Sequence, residues 1–258
     1  VSTAAPTATA AQVALRHRRS VRRLSPGQLG DLKQAIAQAQ KIKDDRGYQS
    51  WAGIHGLPLP ISCRHSSPLF LTWHRAYLCF FEKALQERIP GVTLPWWDWT
   101  VERGAGIPAQ YRKAPLVSSP IQPSGRRDPN ERKTWRHLGN PSWQPSQPEV
   151  DAVLENTSFA IFQSQLEEIH NSVHGWVGGT MGDPSVAAYD PIFWAHHGMI
   201  DRLWYLWQLK HPGFRFSEAY LEIALPPFSM TVRQTLDITR LGYDYAAATA
   251  AAPGTRRG

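Results

Sequence analysis

The chain predicts a mainly α fold, a four-helix bundle with long irregular loops and little sheet. Three observations carry that expectation. Four segments repeat apolar residues at helical spacing, proline and glycine crowd the stretches between them, and several histidines fall inside the helical segments at spacings that aim rings from one face. With 258 residues, 42% of them hydrophobic and 11 of them Trp, the chain has enough apolar material for one large core and far too much for a disordered protein.

The first helix starts after Ser25, a natural N-cap, with Pro26 at the first helical position and Leu29, Leu32 and Ile36 recurring on one side. Gly47 is the expected stop. Residues 48–71 carry Gly53, Gly56, Pro58, Pro60 and Pro68 and read as an irregular segment holding His55 and His65. A second helix begins near Thr72 and covers residues 73–88, with His74, Tyr77, Leu78, Phe81 and Leu85 in one stripe before Pro90 and Gly91 end it. Residues 104–148, dense in proline and glycine, read as a looped excursion over the bundle, not as a second domain. Two more helices follow, over residues 160–176 and 191–210, the latter with Asp190 as its cap. No internal repeat of fixed period is visible. Residues 1–21 read as an N-terminal tail, 22–245 as one domain and 246–258 as a C-terminal tail.

Composition narrows the function. The formal net charge is +7, but basic residues cluster only at 16–23 and 126–133, and neither cluster matches a nucleic-acid module, so both read as solvated segments without a nucleic-acid partner. No apolar run approaches the roughly 18 to 20 residues of a membrane span, which predicts a soluble protein, cytoplasmic or secreted. Two cysteines build no disulfide framework and no structural zinc site, so a metal would rest mainly on the ten histidines.

His170 and His174 stand four apart on a helix and can share one ion; imidazole suits Zn, Cu, Fe and Ni alike, so the pair names no metal. His65 and His74 are nine apart, and Pro68 forbids an unbroken helix between them, so His65 must reach in from a loop. His196 and His197 are adjacent and diverge by about 100°, so only one can aim at a given ion. Periodicity leaves both open: His196 shares a stripe with Ile200, Leu203 and Trp207, and His197 with Asp201 and Trp204.

Residues 65–78, 170–179 and 190–204, in this order, resemble the two copper-binding signatures of the tyrosinase family of type-3 copper proteins, and Tyr243-Asp244-Tyr245 resembles the motif that closes that family's core. The resemblance covers essentially residues 22–245 and implies a bundle holding a dinuclear copper centre, with two copper ions as cofactor and O2 as co-substrate. Carried over position by position, His55, His65 and His74 would hold the first ion and His170, His174 and His197 the second. His196 would stand behind them, and His17, His137 and His211 would be surface residues. Cys63, two before His65, resembles the cysteine that fungal members join to that histidine by a thioether, while Cys79 reads as core. Glu167 and Asn171 would form the pair that orients a water to deprotonate monophenols, with Glu168 on the exposed side. Pro184 and Gly175 fall at gating positions and leave the site open. Arg75, Asp201 and Arg202 read as ion-pairing residues, and Pro95-Trp96-Trp97-Asp98-Trp99 as an aromatic ladder behind the bundle.

The implied activity is oxidation of ortho-diphenols to ortho-quinones, with ortho-hydroxylation of monophenols, on a small phenolic substrate and with a copper-delivery protein as partner. The alternatives are an o-aminophenol oxidase and a haemocyanin-like O2 carrier. The carrier is disfavoured by the short stretch after Tyr245, and a mononuclear zinc or iron enzyme leaves half of the histidines unused. Oligomeric state is not legible.

Overall fold

In the computed structural model, which describes residues 15–57, 62–101, 105–123 and 132–245, the chain is mainly helical. Helix α1 (Pro26–Lys41) begins where the sequence predicts: the Ser25 side chain accepts from the Gln28 amide and Gln28 answers with its own side chain, so the first turn is capped from both sides. It ends six residues before Gly47. That glycine instead precedes α2 (Tyr48–His55), an eight-residue helix inside the segment expected to be irregular. One stripe of two turns is too short for periodicity to reveal.

Helix α3 (Phe70–Gln86) is buried along nearly its whole length. The long excursion is tied to the bundle by Arg136, whose guanidinium donates to both oxygens of the buried Asp190 at 2.9 and 2.6 Å. It contains a short antiparallel pair, β2 (Pro120–Ile121) with β3 (Arg132–Lys133), and leads into α4 (Gln147–Leu154). Helix α5 (Phe159–Val177) stops at Gly178, whose φ of +61° and contact with the His137 carbonyl exclude a side chain. Helix α6 (Ile192–Lys210) has Pro191 at its N-cap, one residue after the expected Asp190, whose carboxylate accepts from the Ile192 amide at 3.0 Å. Short helices α7 (Glu218–Leu221) and α8 (Val232–Thr235) lead to β4 (Tyr243–Tyr245).

The four helices that frame the histidines are α2, α3, α5 and α6, with α1 packed outside α2 and α3. Behind them Trp97 and Trp99 are fully buried, and the Trp97 amide donates to the Ala195 carbonyl of α6 at 2.9 Å. Among the described residues no helix is long and apolar enough to cross a membrane.

The N-terminal boundary differs from the expected one. Strand β1 (Arg16–Arg18) pairs in parallel with β4, placing Arg16 opposite Tyr243 and Arg18 opposite Tyr245. Arg18 is completely buried, so residues 16–21 are part of the packed fold and the basic cluster at 16–23 is not simply solvated. The cause is a set of buried acids: Arg18 Nε donates to Glu82 at 2.9 Å and its Nη1 to Asp201 at 3.1 Å. Asp201 also accepts from Arg75 and from the hydroxyls of Tyr243 and Tyr245. Of the second basic cluster, only Arg132 and Lys133 lie within the described residues, and both are exposed. Residues 1–14 and 246–258 lie outside them.

Candidate metal centre

The six histidines of the site come from four helices and one loop. His55 is the last residue of α2, His65 sits in the loop before α3, and His74 is in the second turn of α3. Their ring centroids form a triangle with sides of 5.3, 5.6 and 5.3 Å. His170 and His174 project from the inward face of α5, 4.4 Å apart, and His197 of α6 lies 4.7 and 5.6 Å from them. The two triads adjoin, since the rings of His74 and His197 stack at 4.6 Å and those of His65 and His170 are 5.5 Å apart.

In four of the six rings a hydrogen bond sets which nitrogen is presented. His55 Nδ1 donates to the Pro184 carbonyl (3.0 Å), His74 Nδ1 to that of Phe70 (2.8 Å), His174 Nδ1 to that of Met181 (2.6 Å) and His170 Nδ1 to Asn171 Oδ1 (2.9 Å). A ring that spends its proton at Nδ1 offers a lone pair at Nε2. The Nε2 atoms of His55, His65 and His74 are buried with no protein partner. In the other triad His197 Nε2 lies 3.1 Å from His170 Nε2 and 3.4 Å from His174 Nε2. One proton bridges at most one of these contacts, whereas a single cation accepts all three lone pairs. Two nitrogens about 2.0–2.1 Å from one ion at roughly tetrahedral angles stand about 3.3 Å apart, so the observed spacing fits a metal.

The two adjacent rings differ in their surroundings. His197 Nε2 faces the Nε2 atoms of His170 and His174. His196 also lies close enough to group with these rings, but it stacks on the His170 ring at 5.1 Å, and its Nδ1 accepts from Trp99 Nε1 at 3.2 Å. Burial, followed by repulsion from neighbouring imidazoles, holds His55, His74, His170 and His197 well below the ordinary histidine range. Burial brings His174 to about 4. Neutral rings are the form that binds a metal.

A cleft of about 300 Å³ opens onto the triads, walled in part by Glu167, Asn171, Gly175, Met181 and Pro184. Glu167 is 8% exposed, and its Oε1 accepts from the Ser66 amide at 2.6 Å, while Glu168 points to solvent. Burial raises the Glu167 pKa and the Ser66 N–H partly offsets it. A Cβ on Gly175 would meet nothing within 4 Å, so that side of the cleft is open. Cys63 Sγ lies 3.4 Å from His65 Nδ1, and burial pushes its thiol up to about 11.

Four contributors carried no role in the sequence: Ser66, which offers a backbone amide and adopts φ of +48°; Phe70 and Met181, which offer carbonyls; and Trp99, which holds His196. Main-chain roles leave no residue-type signal. Of the histidines outside the site, His17 and His137 are exposed as expected, but His211 is half-buried and bonds to the Leu154 carbonyl at 2.9 Å.

Comparison with known proteins agrees with this geometry. Residues 45–210 match the common central domain of tyrosinase. The chain is 37% identical over 180 residues to a tyrosinase of Streptomyces antibioticus, covering 58% of this chain and 66% of that one. It is 30% identical over 274 residues to hemocyanin G-type, units Oda to Odg, of Enteroctopus dofleini, covering 88% of this chain but 9% of the relative. This chain thus spans a small part of the length of the multi-unit hemocyanins it matches. Its fold superposes on a functional unit of octopus hemocyanin with a TM-score of 0.80 at 29% identity, covering 89% of this chain and 68% of that one. A Burkholderia thailandensis tyrosinase at 23% identity shares the fold, with a TM-score of 0.75, 92% of this chain and 76% of that one. The match over residues 45–210 contains all six imidazoles of the two triads, and the chain belongs to the tyrosinase family of type-3 copper proteins.

Proposed function

We propose that this protein oxidises ortho-diphenols to ortho-quinones with O2 and hydroxylates monophenols at the ortho position. The observation that carries the reading is the pair of imidazole triads beside a cleft, which His55, His65, His170 and His174 line and whose wall holds a buried carboxylate. His55, His65 and His74 would hold one copper ion and His170, His174 and His197 the other. A bound copper pair supplies the redox chemistry with O2.

The remaining work falls to side chains. The cleft has room for a single phenolic ring, and Pro184 and Gly175 leave its mouth wide. The Ser66 amide occupies Glu167 Oε1, which leaves Oε2 to take the proton of a monophenol, directly or through a water held with Asn171. A carboxyl with a raised pKa is a stronger base once ionised, which suits this task. Cys63 would join a ring carbon of His65 by a thioether: the S–C bond forms, the thiol and ring hydrogens leave as protons, and two electrons pass to O2. The Cys63–His65 link would lock the ring. Small phenols are the substrates in this reading and a copper-delivery protein the partner.

Oxygen uptake by copper-loaded protein is the test, measured with a monophenol, the matching ortho-diphenol and an o-aminophenol. Turnover of the first two supports the proposal; turnover of the diphenol alone removes the hydroxylase part. The octopus hemocyanin unit favours a second reading, a reversible O2 carrier, which would bind O2 and turn over none of the three. For the thioether, the intact mass of aerated copper-loaded protein should be lower by two hydrogens, and unchanged from the sequence mass in Cys63→Ala.

A further inference from the structure

A groove of about 700 Å³, larger than the cleft, shares Ser66, Glu167 and Asn171 with it. Its floor is one face of α5. Ala160, Gln163, Ser164, Glu167, Glu168 and Asn171 recur at helical spacing, so the stripe runs about 16 Å from the groove's far end to the cleft. The facing wall carries Phe216 and Tyr220, stacked at 5.1 Å, and Phe216 meets Phe159 at the start of α5 edge to face at 4.7 Å. Tyr220 is fixed by a 2.6 Å hydrogen bond from its hydroxyl to the Pro68 carbonyl.

One polar side chain between these rings and Glu167 has an unmet hydrogen-bonding requirement. Gln163 is 6% exposed, and its Nε2 donates to the Ser67 carbonyl at 3.0 Å, which holds the amide in the wall. Its Oε1 has no hydrogen-bond partner in the protein. A buried carbonyl oxygen without a donor is costly, and a ligand hydroxyl would relieve it after the small side-chain shift that ligand entry commonly brings.

We infer that the groove is a second-ring subsite, and that the preferred substrates are phenols carrying a further hydroxylated aromatic ring on a short linker. This rests on the proposed phenol oxidation and names its substrate class. With the reacting ring in the cleft, the second ring lies along α5, takes its face-and-edge contacts from Phe216 and Tyr220, and donates its hydroxyl to Gln163 Oε1. A peptide tail fits less well, because it would bring a series of amide donors and acceptors to a wall with one unpaired acceptor.

The probe is a stilbene bearing one catechol ring and one 4-hydroxyphenyl ring, compared with 4-methylcatechol. In copper-loaded wild type the KM of the stilbene should be about tenfold lower. Ser164→Trp, at an exposed position on the stripe, fills the groove and should reduce that ratio to about threefold or less, and Phe216→Leu should give an intermediate ratio. Circular dichroism checks that both variants fold. An equal KM for the two probes in wild type, or a ratio that Ser164→Trp leaves unchanged, overturns the inference. The metal-free protein separates this from the activity: ligand-observed NMR should detect stilbene binding in wild type and its loss in Ser164→Trp. Binding there without turnover of either probe would remove the oxidase reading and keep the groove; its absence would remove the groove.

Discussion

Glu167 and Glu168 are neighbours of the same residue type, yet one is buried against the Ser66 amide and the other is solvated, so any chemistry they carry differs by environment alone. That contrast makes a sharp prediction. Glu167→Gln should lower monophenol hydroxylation about 100-fold while diphenol oxidation falls less than about tenfold, whereas Glu168→Gln should change neither appreciably; oxygen uptake with each substrate measures both. Gly175 gives a second prediction at this scale. Since a side chain there would enter open space, Gly175→Phe should fold normally and raise the KM of a bulky diphenol about tenfold, with thermal melts as the folding control. At single residues the sequence was informative about side chains that gather in space, as with the six histidines of the triads. It was silent where the main chain acts, as at Ser66 and Met181.

At the scale of elements, capping signals such as Ser25 with Pro26 mark where helices start, because they act within one turn. Helix α2 was missed because its register depends on packing against its neighbours. Close approach between elements is likewise a tertiary matter. A Cβ on Gly198 of α6 would stand 2.6 Å from the Pro95 carbonyl oxygen, a backbone atom that cannot swing away. Gly198→Ala should therefore cost about 3 kcal/mol in a urea melt, although alanine is the better helix former. Strand β1 owes its place to Arg18. Arg18→Met removes the cation that faces Glu82 and Asp201, leaves two buried acids short of a partner and should destabilise by about 3–5 kcal/mol, read by the same melt.

The whole molecule holds many neutral imidazoles in a small volume, and this ties its stability to pH. A histidine whose pKa is lower in the folded state binds fewer protons there than when unfolded. Stability is then full above the unfolded value near 6.5 and is lost as pH falls below it. His174, at about 4, accounts for a loss of about 2 kcal/mol between pH 6.5 and 5. His55, His65, His74, His170, His196 and His197 shift in the same direction. Metal-free protein should thus unfold cooperatively between about pH 6 and 5, followed by circular dichroism, and its melting temperature at pH 7 should rise when copper is added. A midpoint below pH 4 would mean that the histidines are not held neutral by the fold.

By itself the sequence determined the helical class, the family and the histidines that gather at the candidate centre, because periodicity, caps, matched motif segments and the spacing of His170 with His174 are local properties of the chain. It also separated a loop-borne His65 from the helix of His74, since Pro68 acts on its own neighbours. Only the tertiary structure decided that His197 Nε2 meets His170 and His174 while His196 Nδ1 takes the Trp99 indole N–H, that α2 and not α1 frames the site, and that Arg18 belongs to the core. Each of those outcomes depends on atoms far apart in the chain, brought together by the packing of α3, α5 and α6, and no local pattern encodes such a meeting.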